Sequence, residues 1–188
     1  MSILIGHDIS HHNSGIDVNA GDFVILKATE GQSYTDPKFF EYVQQLNNDG
    51  LVGCYHFIRA DVKGNDAWKE ADNFVRRVIE AGLMYKSLLV VDYEANSLGR
   101  VEYLQRFLEG VKIMTGIKPI VYCSCSARKK LNSLAKQGYE FWIAHYDVKH
   151  LKDSYGNELM WQFTSSPWDF DIFYGSKADW VKRTKKSE

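Results

Sequence analysis

The 188-residue chain is poor in several things that would each announce a function class. It has only three cysteines, Cys54, Cys123 and Cys125. Their number is odd, their spacing suits no zinc site, and Cys54 and Cys123 fall inside strand-like apolar runs. They read as buried free thiols rather than a disulfide framework, which fits synthesis in a reducing cytoplasm. No run approaches the roughly 18 apolar residues of a membrane helix, so membrane insertion is not expected. Met1-Ser2 leads straight into Ile3-Leu4-Ile5 without the basic stretch of a signal peptide. The net charge is only −1, so no global field argues for nucleic acid. Internal repeats and low-complexity linkers are absent, and the length suits one domain. The expected division is a single barrel domain over residues 1–182 and a basic tail over 183–188, read first as a frayed end, with a linker stump or a contact to an anionic polymer as alternatives.

What is abundant is aromatic. Five Trp, 11 Tyr and 10 Phe make up 14% of the residues, enough for a large core, a stacking cleft, or both. Apolar runs at 3–10, 23–29, 52–58, 87–94, 119–124, 140–146, 158–164 and 170–174 read as eight strands. Helical periodicity over 37–49, 65–81 and 100–115 places helices between several of them, with Asp36 a candidate cap before Pro37 and Gly116 a stop. Strand–helix alternation predicts parallel strands with crossover helices, and eight strands suit a closed α/β barrel. The chain is short for a full eightfold barrel, so helices should be missing from the strand-rich last third.

The most informative segment is Ser87-Leu-Leu-Val-Val-Asp-Tyr-Glu94. A buried strand ends in two carboxylates one residue apart. A period of two puts Asp92 and Glu94 on one face with Cα atoms about 6–7 Å apart. Paired acids at a barrel strand's C-terminal end suit acid/base chemistry. Other strand ends supply Asp8, Glu30 and, near the last strand, Asp169 and Asp171; which of the last two faces the site stays open. Tyr55, Tyr122, Tyr146 and Trp161 accompany them, as suits carbohydrate: flat faces cover rings and acids bind hydroxyls. Phe57 and Trp142 read as core. A metal site on His7, Asp8, His11 and His12 lacks helical His-x-x-x-His spacing, and no metal or other cofactor is expected.

The motifs, in order, resemble glycoside hydrolase family 25, the Chalaropsis-type lysozymes found among phage endolysins. Asp8-Ile9-Ser10 with Gly15-Ile16-Asp17 is similar to the opening motif, and Phe23–Gly31 to the second-strand signature. Gly53–Phe57, Asp92-Tyr93-Glu94, Ile120–Tyr122, Trp142–Tyr146 and Trp161–Ser165 resemble the later strands. Val18, Tyr93 and Phe173 depart from the usual pattern. The resemblance implies a modified TIM-like barrel, (β/α)5(β)3. It also implies cleavage of the β-1,4 bond between N-acetylmuramic acid and N-acetylglucosamine in peptidoglycan, that is, lysozyme activity. Glu94 would be the general acid and Asp92 its partner, with Asp8 and Asp171 as supporting acids. Tyr55, Tyr122, Tyr146, Trp161 and Glu30 would bind substrate. Asp92 would either orient the substrate's own acetamido group, the preferred reading, or share in activating water. A chitinase-like glycosidase and a non-catalytic wall-binding barrel stand as alternatives. The expected partner is bacterial peptidoglycan, met by a monomer at the cell wall. With no signal peptide, the chain would be made in a host cytoplasm and released through a phage holin, or be the shortened form of a secreted enzyme.

Overall fold

A computed structural model describes residues 2–13, 15–146, 156–166 and 168–186. Its strands are β1 (Leu4–Ile9), β2 (Phe23–Glu30), β3 (Tyr34–Thr35), β4 (Leu51–Phe57), β5 (Ser87–Asp92), β6 (Ile120–Ser124), β7 (Phe141–Ala144), β8 (Glu158–Thr164) and β9 (Phe170–Phe173). The helices are α1 (Phe39–Gln45), α2 (Ala67–Glu80), α3 (Val101–Thr115), α4 (Cys125–Arg128), α5 (Asn132–Lys136) and α6 (Lys177–Arg183). The sheet runs β1-β9-β8-β7-β6-β5-β4-β2, and β1 pairs with β2 to close it into an eight-stranded barrel. The six pairings from β1–β2 round to β7–β8 are parallel. The two made by β9 are antiparallel. This is the expected mixed barrel. The two-residue β3, too short for a periodicity signal, hangs on β2 outside the closure.

The closure follows from alternation. On β5, Leu88 and Val90 belong to the barrel interior, while Leu89 and Val91, and Tyr93 just past the strand, belong to the layer beneath the helices. All six residues of β5 are buried, as a strand packed on both faces requires. Gly6 and Gly53 make room inside: a Cβ at Gly6 would come within 2.3 Å of the Phe23 carbonyl oxygen, and one at Gly53 within 3.0 Å of Ile25. Small and large residues thus face each other across neighbouring strands.

The longer helices form where the periodicity places them. Asp66 caps α2 by accepting from the Trp68 and Lys69 amides, and α3 stops at Gly116 in the left-handed region, φ 76°. The first helix is shorter than its pattern, because Leu46 turns extended. Asp36 does not cap it; it accepts from the Lys38 amide at 2.9 Å while its other oxygen holds His11. α2 is tied to the barrel by buried polar groups. His56 on β4 bonds Thr29 at 2.8 Å and Glu70 at 2.8 Å. Glu70 also accepts from Tyr103, Asn65 and the Arg59 amide. A buried carboxylate with that many donors is satisfied.

The carboxyl end of the chain differs from expectation. Lys182 and Arg183 are the last turn of α6, whose Ser176–Asp179 capping box fixes its start. Trp180 is fully buried and packs in tilted contact with the Phe23 and Phe173 rings, at 4.7 and 5.0 Å between centroids, sealing the lower end of the barrel. Beyond the helix, the Thr184 hydroxyl donates to the Tyr85 carbonyl at 3.1 Å and Lys185 Nζ to the same oxygen at 2.7 Å. Residues 184–186 are docked rather than frayed.

Candidate active site

At the C-terminal mouth of the parallel strands lies a cavity of about 250 Å³, lined by Asp8, Tyr55, Asp92, Glu94, Tyr122, Trp142, Tyr146, Gln162 and Asp169. Each comes from the end of a strand or from the loop beyond it. β5 delivers Asp92 as its last residue, and Glu94 follows in extended conformation (φ −145°, ψ −169°). The period of two therefore continues past the strand and both carboxylates reach the cavity. In register, Asp92 pairs with Tyr122 and Tyr122 with Trp142. The two rings meet edge-on at 4.6 Å.

The floor is a directed hydrogen-bond chain. Gln162 Nε2 donates to Asp8 Oδ2 at 2.7 Å. Its Oε1 accepts from the Tyr122 hydroxyl at 2.8 Å and from the Tyr146 hydroxyl at 2.7 Å. The amide is fixed by its own partners: only this orientation gives a donor to the carboxylate and an acceptor to both phenols. Asp171, fully buried beneath, accepts from Trp142 Nε1 at 2.9 Å. One oxygen of Asp92 and one of Asp171 are buried without a hydrogen-bond partner among the described residues.

Five carboxyls this close cannot all ionise freely. Burial pushes Asp8 up to about 7, with the Asp169 charge adding to the effect and the Gln162 bond opposing it. Asp92 is held well above the usual carboxylate range by burial, then by Glu94 and Asp8. Glu94 is raised by burial and by Asp169, Asp169 by burial, and Asp171 by burial together with Asp8. The cluster holds protons to higher pH than ordinary carboxyls and releases them as a coupled set.

Asp8, Asp92, Glu94, Tyr55, Tyr122 and Tyr146 are thus brought together, and Asp171 supports them from below. The open choice at the last strand resolves into two positions: Asp169 lines the cavity and Asp171 lies under it. Two named candidates stand elsewhere. Trp161 points outward, because Met160 and Gln162 take the inward positions of β8; its Nε1 donates to the His145 carbonyl at 2.7 Å. Glu30 lies at the rim in a separate depression beside Arg59 and Tyr34. Its carboxylate is engaged by Lys27 Nζ and Arg59 Nη1, each at 2.8 Å. Two cavity residues were missed. Trp142 read as core, and Gln162 carried no charge to draw notice, although strand alternation marks 162 rather than 161 as inward. The His11 and His12 rings lie 3.8 Å apart, and His11 Nδ1 is taken by Asp36 at 2.7 Å. Among the described residues no group of three His, Cys, Asp or Glu side chains is arranged to hold a metal ion.

Comparison with known proteins follows the same outline. The family model described as Glycosyl hydrolases family 25 matches residues 7–171. An autolytic lysozyme of Clostridium acetobutylicum is 31% identical over 153 residues, covering 76% of this chain and 45% of its own. A family GH25 lysozyme structure from Aspergillus fumigatus, 22% identical, superposes with a TM-score of 0.80 over 98% of this chain and 100% of that one, a likeness of fold. The modular Cpl-1 endolysin, solved with a peptidoglycan analogue, is 26% identical with a TM-score of 0.71 over 92% of this chain and 55% of that one. The chain spans between 45% and 62% of the length of the curated relatives it matches.

Proposed function

We propose that this chain, which belongs to glycosyl hydrolases family 25, is a lysozyme that acts on the bacterial cell wall by cleaving the β-1,4 bond between N-acetylmuramic acid and N-acetylglucosamine. The observation that carries the reading is the convergence of Asp92 and Glu94 with Asp8 on one aromatic-walled cavity at the barrel mouth. The autolytic lysozyme relative and the endolysin seen with a peptidoglycan analogue favour a wall glycan over chitin. No described helix is long and apolar enough to cross a membrane.

In this reading Glu94 is the general acid. Its proton is retained because burial and the Asp169 charge disfavour ionisation. It protonates the leaving glycosidic oxygen as the C1–O bond breaks. Asp92 orients the 2-acetamido group of the sugar on the other side of that bond. The Asp92 carboxyl lines the cavity beside Glu94, where it offers an acceptor to the acetamido N–H. The acetamido oxygen attacks C1 and forms an oxazolinium ion. Water then opens the ring, returning its proton to Glu94 and leaving the anomer retained. Asp8 supplies negative charge near the developing oxocarbenium ion once it releases its proton near pH 7, and Asp171, held toward its protonated form by burial, lies beneath it and accepts from Trp142. Tyr55, Tyr122 and Tyr146 line the groove. The phenol protons of Tyr122 and Tyr146 are committed to Gln162, so their oxygens face the cavity as acceptors.

The test is clearing of purified Gram-positive cell walls by wild type and by Glu94→Gln, with folding followed by circular dichroism. The variant keeps the shape and loses the proton, so turnover should fall about 10²–10⁴-fold with an unchanged spectrum. Near wild-type clearing would remove Glu94 from the role. Proton NMR of the first product reads the anomer, and inversion would exclude the acetamido route.

A further inference from the structure

The end of the barrel opposite the acidic mouth carries a different cleft. It measures about 550 Å³ and lies against the amino ends of β5 and β6. Among the described residues, Lys118, Lys182, Arg183, Lys185 and Lys186 line it together with two carboxylates, Glu140 and Asp179, an excess of three positive charges in one concavity. The charges are unequally available. Arg183 is spent on Glu140, with both oxygens bonded at 2.7 Å. Asp179 is occupied by the Ser176 cap. None of the four lysines forms an ion pair with a carboxylate among the described residues. Lys118 and Lys185 donate instead to the Gln137 and Tyr85 carbonyls, and Lys186 lies over the Tyr85 ring. Such contacts hold the lysine stems in place without neutralising the charge.

We propose that this cleft is a docking site for a linear phosphodiester polyanion without bases, a polyol phosphate chain. Three features select that chemistry. The free cations are ammonium groups, point charges that bind phosphate without fixing its orientation, while the only guanidinium in the cleft is already paired. No aromatic side chain lines the cleft, so it lacks the stacking platform that single-stranded nucleic acid uses. The charge is arranged along a concave wall shared by α6, the segment after it and the loop before β6, which suits an extended strand better than one ion. The opposite mouth, lined by Asp8, Asp92, Glu94 and Asp169, presents no basic side chain to the same polymer. A molecule held by its basic end therefore presents its acidic mouth away from the polyanion. That last consequence rests on the proposed glycan-cleaving role; the binding itself does not.

The experiment measures binding of fluorescent poly(glycerol phosphate) to the full chain by anisotropy between 50 and 200 mM salt. Four neutralised phosphates at a slope of about −0.7 each predict a roughly 50-fold loss of affinity over that range. Lys182→Gln/Lys185→Gln/Lys186→Gln should weaken binding at least about tenfold and flatten the slope. Lys118→Gln, on a separate segment, should weaken it less and leave the carboxyl-terminal contacts intact. Hydrolysis of a short, uncharged soluble glycan should be the same in all of them, which separates loss of docking from loss of the active site. The inference is overturned if the variants bind the polymer as wild type does, if single-stranded DNA binds more tightly than poly(glycerol phosphate), or if only anionic lipid vesicles bind.

Discussion

Asp8→Asn should stabilise the protein at neutral pH while impairing it as an enzyme. Asp8 is displaced from 3.8 to about 7 by burial and by its acidic neighbours. Between those values the folded protein keeps a proton that the unfolded chain has already released. Stability from this group is therefore fully present below about pH 4 and is lost as the pH rises through about 7. A displacement of about three pH units corresponds to at most about 4 kcal/mol. Asp8 shares its burden with Asp169 and Asp171, so a realistic gain for the variant at pH 8 is about 1–3 kcal/mol. The amide preserves the acceptor for Gln162 Nε2 and removes only the ionisation. Urea denaturation of wild type and variant at pH 4.5 and pH 8 provides the assay. The two should nearly coincide in acid and separate at pH 8 with the variant the more stable, by about 2–10 °C in a parallel thermal melt. A variant less stable than wild type at pH 8, or a difference independent of pH, would refute the electrostatic account of the cavity.

Gln162→Met removes the donor to Asp8 and the acceptor of both phenols while roughly keeping volume. A hydrogen bond to a charged group is worth about 1.5–3 kcal/mol, so the acidic limb of the pH–activity profile should move up by about 1–2 units, and an unmoved limb would mean that Gln162 does not control Asp8. Trp180→Ala should cost about 3–5 kcal/mol by opening a cavity under Phe23 and Phe173, read as a lower denaturant midpoint; a loss below about 1 kcal/mol would mean that α6 is not needed to seal the barrel.

Much of this architecture was legible in the sequence because two periodicities carry it. The run from Leu88 to Val91 is apolar on both faces, as an enclosed strand requires, and the same period carried Asp92 and Glu94 onto one side. Helices α2 and α3 announced themselves through cap, stripe and terminal glycine. What failed to show was what depends on partners distant in sequence. Glu30 has the same local signature as Asp8, a carboxylate at a strand end. Only the fold reveals that Lys27 and Arg59 occupy it. Trp161 drew attention for its ring, whereas its neighbour Gln162 faces the cavity and orders three other side chains. Trp142 read as core because it is buried, yet its indole N–H serves Asp171. The closing turn of α6 was hidden by the basic residues at its end, which suggested a solvated tail until Thr184 and Lys185 were seen to meet the Tyr85 carbonyl.

The central claim is that the cavity around Asp92 and Glu94 cuts the glycan on the reducing side of N-acetylmuramic acid. Borohydride reduction of digested peptidoglycan, followed by mass spectrometry, labels whichever sugar carries each new reducing end. Wild type should yield reduced N-acetylmuramic acid, and Glu94→Gln should yield almost none. New ends on N-acetylglucosamine, or equal yields from the two proteins, would contradict the account.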